Sequence, residues 1–451
     1  MNFFKRIRNQ NSPNKVFLAL CVFTLVAPVF AQSQSFTFEQ CLNFAIENSI
    51  GIEKKSDIVE QNRSTLEASI ASRHPSLSFS INQRKSYETK YQNSKNTWER
   101  EQKSGTSLSL NSQMILFRGG SVGGAIKRDN LLLEASQNNV EAEIDALTLS
   151  TLTAYINVLL AKERVQNSEA RYETSEKQLE FAQAQLDAGL ISKVDFLRIK
   201  SDKISDYSVL INQKGNYRMS LVKLAHTMNI NPEIEIEISE PNIDSILKDE
   251  ANTDIDRIIE VYLKTNPIVL SQEKMVESSQ LDVSIAKAEY LPTIQLSTSV
   301  STSATNDFYD VAATEQLTNR ITPSVSLSFS VPIYQKKEAK SKVVKATISQ
   351  RNQENSLKEL KRDIRQEIEL SIVEYEKAAA EFDSNYQLFL AEKENFSLAS
   401  QMFVQGLNST IDYIASKNSF AAAENNLTWS KYTLVLKKKM LEYYRRIPIT
   451  L

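Results

Sequence analysis

Two periodicities alternate along this chain. Over Val325-Ser-Leu-Ser-Phe-Ser-Val331 apolar and small polar residues alternate strictly, and Leu77-Ser-Phe-Ser-Ile81 and Leu108-Ser-Leu110 repeat the pattern. A period of two gives a β-strand one apolar and one polar face. Strand pairs are predicted at 76–90 with 104–117 and at 293–305 with 320–333. Loops 87–103 and 306–319 are polar but hold Tyr87, Tyr91, Trp98, Phe308 and Tyr309, which suit the outer rim of a barrel. After each pair the period shifts toward 3.6. Val140, Ile144, Leu147, Leu152, Tyr155 and Leu159 mark one helical stripe, and Leu357, Leu360, Ile364, Ile368, Ile372 and Tyr375 mark another. Long helices are predicted over 120–187, 192–228, 337–404 and 409–445, with a short and a medium helix ahead of each strand pair. A helix of nearly 70 residues is on the order of 100 Å long. No globular core of this size covers such a rod, so its partners are other helices, in coiled-coil fashion.

The pattern occurs twice. Pro75 matches Pro292 at an offset of 217, and Leu110 and Leu327, Phe117 and Tyr334, Gly189-Leu190 and Gly406-Leu407, and Ser192 and Ser409 keep that offset. Asp195-Phe196-Leu197 likewise matches Asp412-Tyr413-Ile414. The chain therefore reads as two tandem copies, 36–230 and 254–447, joined by a linker over 231–253. The Glu/Ile alternation at 233–238 predicts a short half-buried strand near the linker.

Composition sharpens this picture. Only 9 Gly and 10 Pro occur among 451 residues, so turns are few and elements long. Residues 1–31 carry a basic start and the apolar run VFLALCVFTLVAPVFA, a pattern that predicts a secretory signal cleaved after Ala31. The formal net charge is −2; the four basic residues of that segment leave 49 basic against 55 acidic residues beyond it. That balance excludes a basic nucleic-acid binder. Cys41 is the one cysteine past the signal, so no intrachain disulfide forms there. With 2 His in the chain and no Ser/His/Asp set or ligand spacing, no enzyme, metal site or cofactor is expected. Gly119, Gly120, Gly123 and Gly124 let the chain turn from strand into long helix. Their run has Ala125 where a phosphate-binding loop needs lysine.

At each break between long helices, a glycine (Gly189, Gly406) is followed by leucine (Leu190, Leu407) and then by serine (Ser192, Ser409). This reads as a glycine helix stop followed by a serine N-cap. Asp195 and Asp412 then lie in the first helical turn, where the dipole favours acids. Helix-start stabilisation accounts for them, and a functional role is equally open.

No continuous apolar 20-mer follows the signal. If the exported chain spans a membrane, it does so with strands. Four strands cannot close, and open edges are not tolerated in lipid. Two chains would give eight strands, three twelve and four sixteen. An eight-strand barrel is filled by its own side chains. Three chains suit a duct best, and four also satisfy the arithmetic.

The tandem repeat, the FRGG segment with its mate Tyr334-Gln335-Lys336, and the breaks AGLISKVDFL and QGLNSTIDYI together resemble the TolC-like outer-membrane efflux family. The resemblance covers about 36–447. It implies a mostly α, α+β fold in which four β-strands and long α-helices per chain build a homotrimer. Its twelve-stranded β-barrel would sit in the bacterial outer membrane, above a long α-helical barrel crossing the periplasm, with the linker in a mixed equatorial region. It implies passive conduction, driven by an inner-membrane pump of RND or ABC type through a periplasmic adaptor. By that resemblance Gly189, Leu190, Ser192, Gly406, Leu407 and Ser409 dock adaptor hairpins, and Asp195 and Asp412 stand at the periplasmic entrance. Asn408 and Ala415 replace a basic residue and a second aspartate of strongly gated relatives. A single acidic ring at Asp412 is then the most that is expected. The competing reading is a periplasmic coiled-coil adaptor or scaffold without a channel, but adaptors lack this tandem arrangement of strand pairs.

Overall fold

A computed structural model describes residues 35–230, 237–247, 254–306 and 311–451. The expected signal, most of the linker strand, Phe308 and Tyr309 lie outside the described residues. The first repeat runs β1 (Ser35–Phe36), α1 (Phe38–Glu47), α2 (Ile50–Ala71), β2 (Ser76–Gln92), β3 (Thr97–Arg118), α3 (Ser121–Asp187) and α4 (Lys193–Thr227). Between the repeats stand β4 (Glu237–Ile238) and α5 (Ile243–Leu247). The second repeat runs α6 (Ile255–Thr265), α7 (Pro267–Ala288), β5 (Thr293–Thr305), α8 (Ala313–Asn319), β6 (Thr322–Ser330), α9 (Glu338–Val404) and α10 (Thr410–Tyr444).

The sheet is antiparallel, in the order β2-β3-β5-β6. Its register sorts the side chains by parity. Leu77, Phe79 and Ile81 share a face with Leu108 and Leu110, with Leu296 and Val300, and with Val325, Leu327 and Phe329. The opposite face is a field of serines, among them Ser78, Ser80, Ser109, Ser297, Ser299, Ser326 and Ser328. A one-residue slip would exchange the two faces, so the alternation itself fixes the register. Most of the apolar face is uncovered among the described residues, Leu77 being 72% and Leu327 66% exposed; only near the end of β5 does the chain cover it, where Ala304 is buried and Thr302 donates to the Leu317 carbonyl.

The first hairpin is longer than the alternation predicts. Residues 87–103 are not a loop: β2 runs to Gln92 and β3 starts at Thr97, with pairs such as Tyr87↔Gln102, Glu88↔Glu101 and Tyr91↔Trp98. Aside from Tyr87 and the aromatic rung Tyr91↔Trp98, these rungs carry polar and charged residues, so the sequence shows no apolar alternation there. The segment after β5 carries α8, whose buried Gln316 accepts from the backbone N–H of Thr305 at 2.9 Å and donates to its carbonyl at 3.1 Å.

α3 and α9 have 67 residues each, about 100 Å at 1.5 Å per residue. Near mid-length each meets a compact core. Phe38, Cys41, Leu152, Tyr155, Ile156, Leu224, Met228 and Val435 form the first. Ile258, Tyr262, Val269, Ile364, Ile368, Ile372, Leu441 and Tyr444 form the second. Tyr155 and Ile372, and Leu224 and Leu441, are mates at the 217-residue offset, so the repeat extends to the packing. Tyr155 also donates its hydroxyl to the Ser239 carbonyl at 2.7 Å, tying α3 to the two-stranded parallel sheet of β1 and β4. α3 contains one 18-residue stretch of mean hydropathy 1.5, long and apolar enough to cross a membrane, but 39% of it is buried within the fold.

Candidate functional site

The chain reverses from α3 into α4, and from α9 into α10, by the same local chemistry. Gly189 has φ 71° and Gly406 φ 73°. Leu190 N–H donates to the Gln185 carbonyl at 2.8 Å and Gly189 N–H to Leu186 at 3.0 Å; Leu407 to Met402 and Gly406 to Phe403 repeat these bonds at 2.8 and 3.0 Å. This pair of bonds is a Schellman closure, which satisfies the last helical carbonyls. Two residues later Ser192 and Ser409 cap the next helices. Their hydroxyl oxygens accept from the Asp195 and Asp412 N–H groups at 3.1 and 3.2 Å. The same hydroxyls donate to the aspartate carboxylates at 2.6 and 2.7 Å. A Schellman closure commonly carries an apolar contact from the residue after the glycine back onto its helix. Here that residue points outward: Leu190 is 74% and Leu407 68% exposed.

Both breaks lie at one end of the molecule, joined by a buried cluster of Ala182, Phe196, Ile199, Phe403 and Tyr413. The Phe403 and Tyr413 rings stack with centroids 4.7 Å apart. Burial, with Asp202 and Asp206 nearby, pushes the Tyr413 hydroxyl up to about 12.

The two aspartates differ in their surroundings. Arg198 lies 3.5 Å from the Asp195 carboxylate. Its mate in the second repeat is Ala415, and Asp412 has no ion pair among the described residues. Asp412 is therefore the less compensated carboxylate at this end.

A second cluster sits just behind the tips, and sequence reasoning missed it. Lys417 is 3% exposed, yet its ammonium donates to Asp202 at 2.5 Å, to Ser175 at 2.6 Å and to Asp206. Arg171 Nε stands 2.6 Å from the other Asp206 oxygen. The network joins α3, α4 and α10. Its trace in the sequence is the spacing of Asp202 and Asp206: like charges at i,i+4 repel unless a cation lies between them.

At the strand-to-helix turns, Gly119 and Gly120 have φ 57° and 81°. Gly123 and Gly124 lie inside the first turns of α3 instead, and a Cβ on Gly124 would come 3.0 Å from Ile285.

An amphipathic four-stranded sheet set on paired long helices is an architecture that known channels share. The chain superposes on CusC with a TM-score of 0.79 at 14% identity, covering 91% of this chain and 92% of that one. It superposes on the Campylobacter jejuni CmeC outer-membrane channel with a TM-score of 0.77 at 15% identity, covering 97% and 94%. The fold is that of the outer-membrane channels. In sequence the chain matches the outer membrane efflux protein family over residues 45–229 and 258–439, and it belongs to that family. It is 20% identical over 306 residues to outer membrane protein TolC of Escherichia coli (strain K12), an alignment spanning 66% of this chain and 61% of that relative.

Proposed function

We propose that the chain is one third of an outer-membrane exit duct, serving a tripartite efflux or type I secretion assembly. The observation that carries this reading is the two-faced sheet with open edges at β2 and β6. In lipid every backbone donor and acceptor needs a partner. β2 of one copy meets β6 of the next, and three copies close twelve strands, apolar side to lipid and serine side to a wet lumen. The same symmetry gathers the long helices into a tube below the barrel. Exposed Leu190 and Leu407, each held outward between a glycine stop and a serine cap, form three pairs of sites for the hairpins of a periplasmic adaptor. That adaptor links the duct to an inner-membrane pump of RND or ABC type, which supplies the energy. Asp412 from three chains rings the periplasmic entrance and favours cations.

Mass and single-channel conductance of protein purified from outer membrane test this. The expected result is a particle of three chain masses with a small cation-selective conductance that rises in Asp412→Ala. A soluble monomer without conductance would overturn the duct. A conducting trimer indifferent to Asp412→Ala would keep the duct and leave Asp412 a helix-start role.

A further inference from the structure

The β2–β3 hairpin outruns the sheet it belongs to. β5 meets β3 only from Gly105, opposite Arg84, onward, so 85–92 and 97–104 continue as a two-stranded arm, held at its root by Asn306, which accepts from Ser104 N–H and donates to the Gln102 carbonyl. Eight such residues reach about 27 Å at 3.4 Å per residue. The arm leaves the sheet at the end remote from the helices, since β2 follows α2 and β3 leads into α3. The lipid-facing apolar band of a membrane barrel is about 25 Å tall, and its last apolar rung here is Ile81↔Leu108. The arm thus begins where hydrocarbon gives way to headgroups.

The register also sorts the arm by chemistry. On the face of Phe79 and Ile81 come Lys85, Tyr87 and Tyr91 from β2, and Trp98 and Arg100 from β3. On the serine face come Arg84 at the root, then Glu88, Lys90, Glu99, Glu101 and Lys103. Every carboxylate of the arm is on the serine face; the other face holds two cations and three aromatic rings. Contacts agree with this division. Tyr91 and Trp98 meet edge to face at 5.3 Å, and the Arg100 guanidinium lies 5.5 Å from the Tyr87 ring centroid. Glu88, across the arm, pairs with Lys103 at 3.1 Å and Lys90 at 3.7 Å. Lys85 and Arg100 stand four rungs apart, about 13 Å, with Tyr87 between them.

A strip that continues a lipid-facing surface with cations and rings, and with no acid, fits an anionic amphiphile bearing sugars. We propose that it binds a phosphorylated glycolipid of the outer leaflet. Phosphates pair with Lys85 and Arg100, sugar rings pack on Tyr87, Tyr91 and Trp98, and acyl chains lie along Phe79, Ile81 and Leu108. This rests on the duct reading, which turns the apolar face to lipid.

Native mass spectrometry of the detergent-purified trimer tests it, with bisphosphorylated lipid A, its dephosphorylated form and phosphatidylglycerol as probes. The expected result is retention of bisphosphorylated lipid A on the order of tenfold above either other lipid. That preference should disappear in Lys85→Gln/Arg100→Gln and survive in Arg84→Gln/Lys90→Gln on the opposite face. Equal retention of the phosphorylated and dephosphorylated forms, equal retention of phosphatidylglycerol, or an unaffected Lys85→Gln/Arg100→Gln trimer would overturn it. Conductance separates the two failures. A conducting trimer without phosphate preference refutes the glycolipid strip alone, whereas loss of trimer and conductance in the wild type refutes the duct.

Discussion

Gly119 and Gly120 occupy the places in the first repeat that Lys336 and Lys337 occupy in the second, and all four have positive φ, at 57°, 81°, 47° and 67°. The strand-to-helix turn demands the left-handed region twice, and glycine supplies it without strain only once. A side chain there costs roughly 1–2 kcal/mol. Lys336→Gly or Lys337→Gly should therefore raise stability by about 1 kcal/mol, read as a higher thermal midpoint in detergent. Gly119→Ala should do the reverse and more, because its Cβ would lie 2.7 Å from the Ala288 carbonyl oxygen. Gly120→Ala meets nothing within 4 Å and should carry the backbone cost alone. Cys41 gives a second residue-level expectation. It is fully buried, and burial pushes its thiol from 9.0 up to about 12. The folded thiol keeps its proton where the unfolded one loses it. Its contribution to stability is intact below pH 9.0 and falls as pH rises toward about 12. At neutral pH a maleimide should label Cys41 only after denaturation; rapid labelling of the native protein would contradict its burial.

Among the elements, those written in local chemistry are the ones the sequence discloses. Glycine stop, serine cap and first-turn aspartate all act within seven residues, so both helix breaks are legible in the sequence alone. Ser192→Ala and Ser409→Ala should each cost about 1 kcal/mol, measured by urea unfolding. The apolar rungs of the strands are equally plain, since burial or lipid on one face forces a period of two. The arm at 85–104 is not, because cations share one face with its three aromatic rings and charged residues line the other, so no apolar alternation marks it. Least visible is the Lys417 cluster, whose members come from three helices and up to 246 positions apart, from Arg171 to Lys417. Its energetics make a sharp test. Lys417→Met leaves Asp206 with Arg171 but Asp202 without its cation, one uncompensated carboxylate in a largely buried site, and should destabilise by about 3–5 kcal/mol. Neutralising Asp202 as well, in Lys417→Met/Asp202→Asn, restores the balance of Arg171 with Asp206 and should recover most of the loss. A double variant no better than Lys417→Met would mean that the cluster contributes packing rather than charge balance.

For the whole molecule, the same alternation that sets the register also decides how copies assemble. A chain with β2 and β6 as edges cannot be stable in lipid alone, so membrane insertion and oligomer closure are one event. The two faces should then respond oppositely to the same substitution. Leu327 lies on the apolar face beside Leu296, and Ser326 lies next to it in sequence but on the serine face, opposite Ser297. In the proposed trimer Leu327→Arg places three guanidinium groups in hydrocarbon, at about 2–4 kcal/mol each near the midplane, and should abolish the particle of three chain masses in detergent. Ser326→Arg places three cations in the lumen, where water solvates them. The trimer should survive, and cation conductance should fall because like charge now lines the path. A scaffold with a soluble sheet would show a different pair of outcomes: Leu327→Arg would be tolerated on a solvated face, and neither substitution would alter an ion current. Two neighbouring residues, exchanged one at a time, therefore separate a sheet that lies against lipid from one that merely has an apolar side.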